Sequence, residues 1–174
     1  MRANMPLENG YLPDAYGKYA AAADAPGGSC RRSMPFDVED IPEGTRALGV
    51  LFLDWDSIPV CGFPWIHWCA VVTPADTEAF GAGGTVAVPD DASRKGLAGM
   101  NMAQGFNSAA KKEPARGVGY VGPCPPDKDH RYTLYVAALD AAPQFAEPFW
   151  ANELVAFARD HAIKTAELTA WSRC

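Results

Sequence analysis

Three histidines, two aspartates and one proline-flanked cysteine are the residues of this chain best suited to chemistry. His67 lies inside the apolar run WIHWCAVV, His130 precedes the run RYTLYVAAL, and Asp54 and Asp56 follow a third run, RALGVLFL. Imidazoles and carboxylates carried by separate strand ends to one sheet edge would make a polar cluster of the kind that marks a ligand pocket. Taken singly, each has a plainer reading, as a hydrogen-bonded core histidine or a turn-capping aspartate. His161 ends a helical pattern, where a cation suits the helix dipole, and is assigned a structural role.

These groups admit three arrangements. A metal site would draw on Cys61, His67, Cys69, Cys124 and His130, but no pair among them has the short spacing of zinc motifs. An enzyme would use Asp54 with His67 or His130 as acid and base, and Cys124 as its nucleophile. There is no G-x-S-x-G elbow for a serine hydrolase. The third arrangement is a small anion pocket, in which His67, His130, the Tyr132 hydroxyl and turn amides donate to a phosphate or carboxylate while Asp54 orients a histidine. The stretch GYVGPCPPDKDHRY (119–132) suits that arrangement. Its prolines leave few alternative backbones, so little order is lost on binding. Alternation along a strand puts His130 and Tyr132 on one face and Arg131 on the other.

The elements that must position these residues are three strands: Arg46–Leu53, Trp65–Val72 and Arg131–Leu139, each a short apolar run bounded by turn residues. Asn152 is placed to cap a helix through about Ala162, with Leu154, Val155, Ala158 and Ala162 on one side. The final IKTAELTAW reads as a closing strand on its threonines and tryptophan. Residues 1–45 and 73–118 show little regular pattern and read as surface excursions. Gly81–Gly84 (GAGG) fits no nucleotide loop. The result is a mainly β single domain, 1–174, with one helix near the C-terminus.

The bulk numbers exclude several classes. With 174 residues, 48% hydrophobic and 21% charged, the chain suits one globular domain. A net charge of −6 with scattered basic residues argues against nucleic acid as a partner. No run reaches the ~20 apolar residues that span a bilayer, and the N-terminus lacks a secretory core, so the expected location is the cytoplasm. Five widely spaced cysteines read as reduced thiols.

In chain order the segments NGYLPDAY, GGSCRRSMPFDV, PEGT, LFLDWDSIP, His67-Trp68, QGFN, YVGPCPP and HRY resemble the phosphatidylethanolamine-binding protein family, in its bacterial, Raf-kinase-inhibitor-like branch. G-P-C-P-P followed by H-R-Y is the specific part of the match. The resemblance implies an antiparallel Greek-key β fold with peripheral helices, no metal and no cofactor. It also implies a surface pocket for phosphate-type anions and phospholipid headgroups, in a binding protein that is not an enzyme and that regulates a partner such as a kinase or protease. A homodimer is a further expectation from bacterial relatives. Carried over by motif, the pocket residues are Asp54, Asp56, His67, Cys124, Pro125, Pro126, His130 and Tyr132. The family's D-P-D-x-P is here Asp54-Trp-Asp-Ser-Ile-Pro59, so Trp55 replaces a proline and is expected to fill space, while Asp56 braces its loop. A protein-interaction module using loops 55–59 and 81–118 is a third reading.

Overall fold

The computed structural model describes residues 1–174. Its strands are β1 (Arg2–Asn4), β2 (Phe36–Glu39), β3 (Ala47–Asp54), β4 (Trp65–Pro74), β5 (Val86–Val88), β6 (Met100–Gln104), β7 (His130–Leu139) and β8 (Ala162–Ser172). Two single-turn helices, α1 (Ile58–Cys61) and α2 (Ala92–Lys95), one longer helix, α3 (Ala151–His161), and four short 3-10 turns complete it. No helix is long and apolar enough to cross a membrane.

Strands pair antiparallel throughout, in a three-stranded sheet β1-β2-β5 and a five-stranded sheet β6-β4-β3-β7-β8. In the larger sheet the chain runs β3, β4, β6 outward, then returns to lay β7 beside β3, which is Greek-key order. The three long apolar runs are the centre of this sheet, and the closing segment is its edge strand β8, as their composition predicts. The smaller sheet falls in the stretches read as irregular. Its strands have only three or four residues, too few for a period-2 pattern to stand out, and pairing alone defines them.

The five-stranded sheet is buried on both faces. One packs on the smaller sheet through Phe36, Val38, Val50, Phe52, Trp68 and Leu134. The other packs on α3 through Cys69, Val71, Phe149 and Leu154. This explains why the central strands read as nearly continuous apolar runs. At Gly49 a β-carbon would lie 2.9 Å from Leu154 Cδ1, so the glycine lets α3 seat closely.

Helix α3 departs from its expected detail. Its cap is not Asn152: the Glu153 carboxylate reaches back to accept from Trp150 N at 2.7 Å. Val155 is exposed, and Phe157 packs towards the sheet in its place. His161 bonds Asp140 through Nδ1 at 2.8 Å and stacks on Phe157, a structural position.

Candidate functional site

The end of the larger sheet nearest Asp54 carries the polar cluster, and ladder register assembles it. Asp54 ends β3 opposite Tyr132 on β7 and Trp65 on β4. Because alternate residues share a face, Asp54, Tyr132 and His130 point to the same side as Phe52 and Val50.

His67 reaches that side by a different route. In regular alternation it would share the face of Cys69 and Val71, under α3. The pairing steps from Phe52–Trp68 to Leu53–Ile66, so His67 is the extra residue of a β-bulge. A bulge re-aims the inserted side chain. The His67 ring accordingly lies 5.1 Å from Tyr132 and 6.0 Å from Phe52, centre to centre.

The 119–126 turn closes the site, and its glycines are there for space and backbone geometry. At Gly122 a β-carbon would stand 2.6 Å from Tyr16 O and 2.7 Å from Cys30 Cβ. Gly119 adopts φ +72°, the left-handed region that glycine tolerates best. Val121 N donates to His67 O and Gly122 N to Cys30 O, while residues 123, 125 and 126 are prolines without an N–H. Cys124 is thus the one residue of 121–126 whose amide is left without a backbone partner.

These walls enclose a cavity of about 230 Å³ lined by Asp54, His67, Cys124, Pro126, His130 and Tyr132. Six of the eight expected site residues therefore meet. Asp56 and Pro125 do not line it. The Asp56 carboxylate turns away to accept from Arg131 N at 2.8 Å, bracing the start of β7. Pro125 is buried behind the turn, its carbonyl accepting from Lys18 Nζ. Trp55 does not fill interior space: it is 44% exposed, and its Nε1–H donates to Tyr135 Oη at 3.0 Å.

The two histidines differ in kind. His130 is buried with Nδ1 2.7 Å from Asp54 Oδ2 and Nε2 2.9 Å from Asp127 Oδ1. Burial opposes its charge, but the two carboxylates outweigh burial and raise its pKa above the ordinary histidine value. With both nitrogens engaged, His130 has no N–H free for a ligand, contrary to the role assigned from sequence. His67 is held by backbone carbonyls alone: Nδ1 donates to Val121 O at 2.8 Å, with the Gly122 carbonyl close by. Burial pushes its pKa down to about 4, so the ring is neutral and its Nε2 is a bare acceptor.

Tyr132 is the remaining member. Its hydroxyl is the only buried side-chain nitrogen or oxygen in the molecule without a hydrogen-bond partner. Burial and the Asp54 carboxylate, which stands close to the hydroxyl but outside hydrogen-bond geometry, push its pKa far up, so it is a neutral O–H.

Sequence reasoning missed Asp127, Ser57 and a cationic rim. Asp127 sits three residues before His130, a spacing that could have been noticed. Ser57 N donates to Asp54 Oδ1 at 3.1 Å and Ser57 Oγ donates to Asp54 O at 2.7 Å, fixing the loop after β3. Arg116, paired with Glu113 and bonded to Ser29 Oγ, lines the far rim. No local pattern marks Arg116, because only the folding of 105–120 over β4 brings it there. No group of three or more His, Cys, Asp or Glu side chains is placed to hold a metal ion, and all five cysteines are free.

A larger groove of about 1120 Å³ crosses β4 and β6. Its charged lining, Arg46, Glu78, Arg94, Lys95 and Glu147, is exposed to solvent. Size favours the groove, but buried polar groups with open valences occur only in the smaller cavity, and these are the better mark of a binding site.

Comparison with known proteins agrees with this architecture. The sequence profile of the family described as phosphatidylethanolamine-binding protein matches residues 4–173. The chain belongs to that family. It is 39% identical over 172 residues to the uncharacterized protein YxkA of Bacillus subtilis, covering 95% of each chain. A UPF0098 protein of Chlamydia trachomatis is 30% identical over 139 residues, covering 78% of this chain and 79% of the relative. Among solved structures, the phosphatidylethanolamine-binding protein homologue CT736 of Chlamydia trachomatis superposes with a TM-score of 0.66 at 26% identity, covering 92% of this chain and 88% of that one. Escherichia coli YbcL shares the fold, with a TM-score of 0.72 at 24% identity over 99% and 98% of the two chains. Members of the family are generally binding proteins and not catalysts.

Proposed function

We propose that this chain is a non-catalytic binding protein whose cavity takes a small oxyanion, a phosphate-type group or carboxylate such as a phospholipid headgroup carries. The observation that carries this reading is the Tyr132 hydroxyl, buried without a partner at the wall of a cavity it shares with the open edge of His67. Native interiors seldom leave a buried donor unmet, and a ligand oxygen would meet this one. The Cys124 amide and the Arg116 guanidinium supply further donors at the rim. The same geometry speaks against acid–base catalysis. His130 is committed at both nitrogens, and the Cys124 thiol has no hydrogen bond to either histidine to make it a nucleophile.

Regulation of a partner protein, a kinase or protease by family resemblance, extends this reading. Trp55, Ile58, Val60 and Phe63 stand exposed on one loop beside the cavity, and such an apolar rim suits a protein contact.

An NMR titration with phosphoethanolamine tests the proposal. The His67 ring resonances should shift strongly, while those of His130, fenced by carboxylates, shift little. A folded sample whose His67 resonances are unmoved by millimolar phosphoethanolamine or phosphate would overturn it.

A further inference from the structure

The cavity has a polarity of its own, because one of its buried polar atoms accepts and does not donate. The Val121 carbonyl can only accept, so His67 must keep its proton on Nδ1. Nε2 is then a lone pair at the wall of the same cavity as the Tyr132 hydroxyl. Carboxylates add to this character: Asp54 and Asp127 flank His130 on one side, and Glu113 stands at the Arg116 rim on the other. A fully deprotonated oxyanion brings only acceptors. Placed here, it would satisfy Tyr132 and set one of its oxygens against the His67 lone pair.

We propose that His67 is a specificity residue that selects oxyacids carrying a proton, so that binding a phosphate monoester takes up one proton for each dianion bound. The inference rests on the oxyanion reading above and names the protonation state that the site accepts. One ligand oxygen accepts from Tyr132 Oη–H, and a P–O–H donates to His67 Nε2. The equivalent state, with the proton shifted onto Nε2, has the same proton count. A phosphomonoester has its second pKa near ~6, so both of its protonation states are accessible close to neutrality. Sulfate has the same shape and no such proton.

The titratable and charged groups around His67 come from every packed element. They are Asp54 and Asp56 at the end of β3, Cys61 on α1, Glu113 and Arg116 on the rim, Cys124 and Asp127 on the turn, and His130 and Tyr132 on β7. Asp127 is held ionised by His130, and Tyr132 stays neutral. His130, whose pKa its two carboxylates raise, is the other imidazole lining the cavity, and it is left in place in a His67 variant.

Calorimetry on the full chain is the test, with phosphoethanolamine, inorganic phosphate and sulfate as probes, in two buffers of different ionisation enthalpy. Between pH 7 and 8 the wild type should take up close to one proton per phosphoethanolamine and lose affinity about tenfold per pH unit. Sulfate should bind at least about tenfold more weakly than phosphate. In His67→Gln the glutamine amide offers an N–H where Nε2 offers a lone pair. Sulfate should then gain on phosphate, and the pH slope should fall away. Equal affinity for phosphate and sulfate without proton uptake in the wild type would overturn the inference while leaving the oxyanion site standing. A slope that persists in His67→Gln would assign the proton to His130 and also overturn it. Failure of the wild type to bind any of the three probes would remove the oxyanion site itself. The phosphate–sulfate comparison needs no variant, so it decides even if His67→Gln folds poorly.

Discussion

Two imidazoles share one cavity, and the chain holds them in opposite ways. On the β7 side His130 sits between the Asp54 and Asp127 carboxylates, and its charged form is favoured despite burial. On the β4 side His67 meets only backbone carbonyls, Val121 at hydrogen-bond distance and Gly122 close by, and an apolar surround of Phe52 and Tyr132, and its neutral form wins. Burial disfavours the charged form of both, so depth alone cannot separate them. The partner decides: a carboxylate at hydrogen-bond distance offsets the lost hydration of an imidazolium, whereas backbone carbonyl dipoles do not. One histidine thereby becomes a strut, and the other keeps an open valence for a ligand.

The largest expected break in this comparison is Asp54→Ala. It strips the more buried carboxylate from His130 and the carboxylate acceptor from Ser57 N. Destabilisation of about 3 kcal/mol is expected in urea unfolding, because a buried cation loses its closest counter-charge. Removing the His67–Val121 bond should cost nearer ~1 kcal/mol. Equal costs would mean that the two sides are not distinct.

The second test uses pH. His67 has its folded pKa lowered from 6.5 to about 4, so stability should fall as pH drops through that window, by at most about 1.4 kcal/mol per unit. His130 has its folded pKa raised, so its contribution is fully present below 6.5 and is lost as pH rises through the folded value. Urea midpoints between pH 4.5 and 8 should therefore show losses at both ends. His67→Gln should abolish only the acid-side loss, and an unchanged acid limb would contradict the assignment of a neutral His67.

The smallest effect is also opposite in sign. Tyr132→Phe removes a buried hydroxyl that no group of the protein satisfies. Stability should rise by roughly 1 kcal/mol while phosphoethanolamine affinity drops. A variant that is less stable, with binding intact, would show that the hydroxyl serves the fold.

Much of the larger sheet was legible because its strands are long enough, and buried enough, to leave unbroken apolar runs: β3, β4, β7 and β8 fall within a residue or two of the expected limits. The sheet β1-β2-β5 was not, since three-residue strands such as Val86–Val88 owe their shape to neighbours distant in sequence. The candidate site was legible in its membership more than in its roles. Residue type and motif order brought forward Asp54, His67, Cys124, Pro126, His130 and Tyr132, all of which line the cavity. Asp56 and Pro125 were also carried over by motif, and backbone direction turned both away. Arg116 was invisible because its approach depends on a long loop crossing β4.

By itself, then, the sequence determined the chemical inventory, the strands that carry it, and the face shared by His130 and Tyr132, because period-2 alternation is a local property of the chain. Tertiary structure alone decided that His67 keeps one nitrogen free while His130 is engaged at both. That depends on a one-residue bulge at His67 and on acceptors supplied by Asp54, Val121 and Asp127, groups that only folding brings to the two rings in this combination. Protonation follows from those partners, since the free energy of a buried charge is set by the atoms within hydrogen-bond reach.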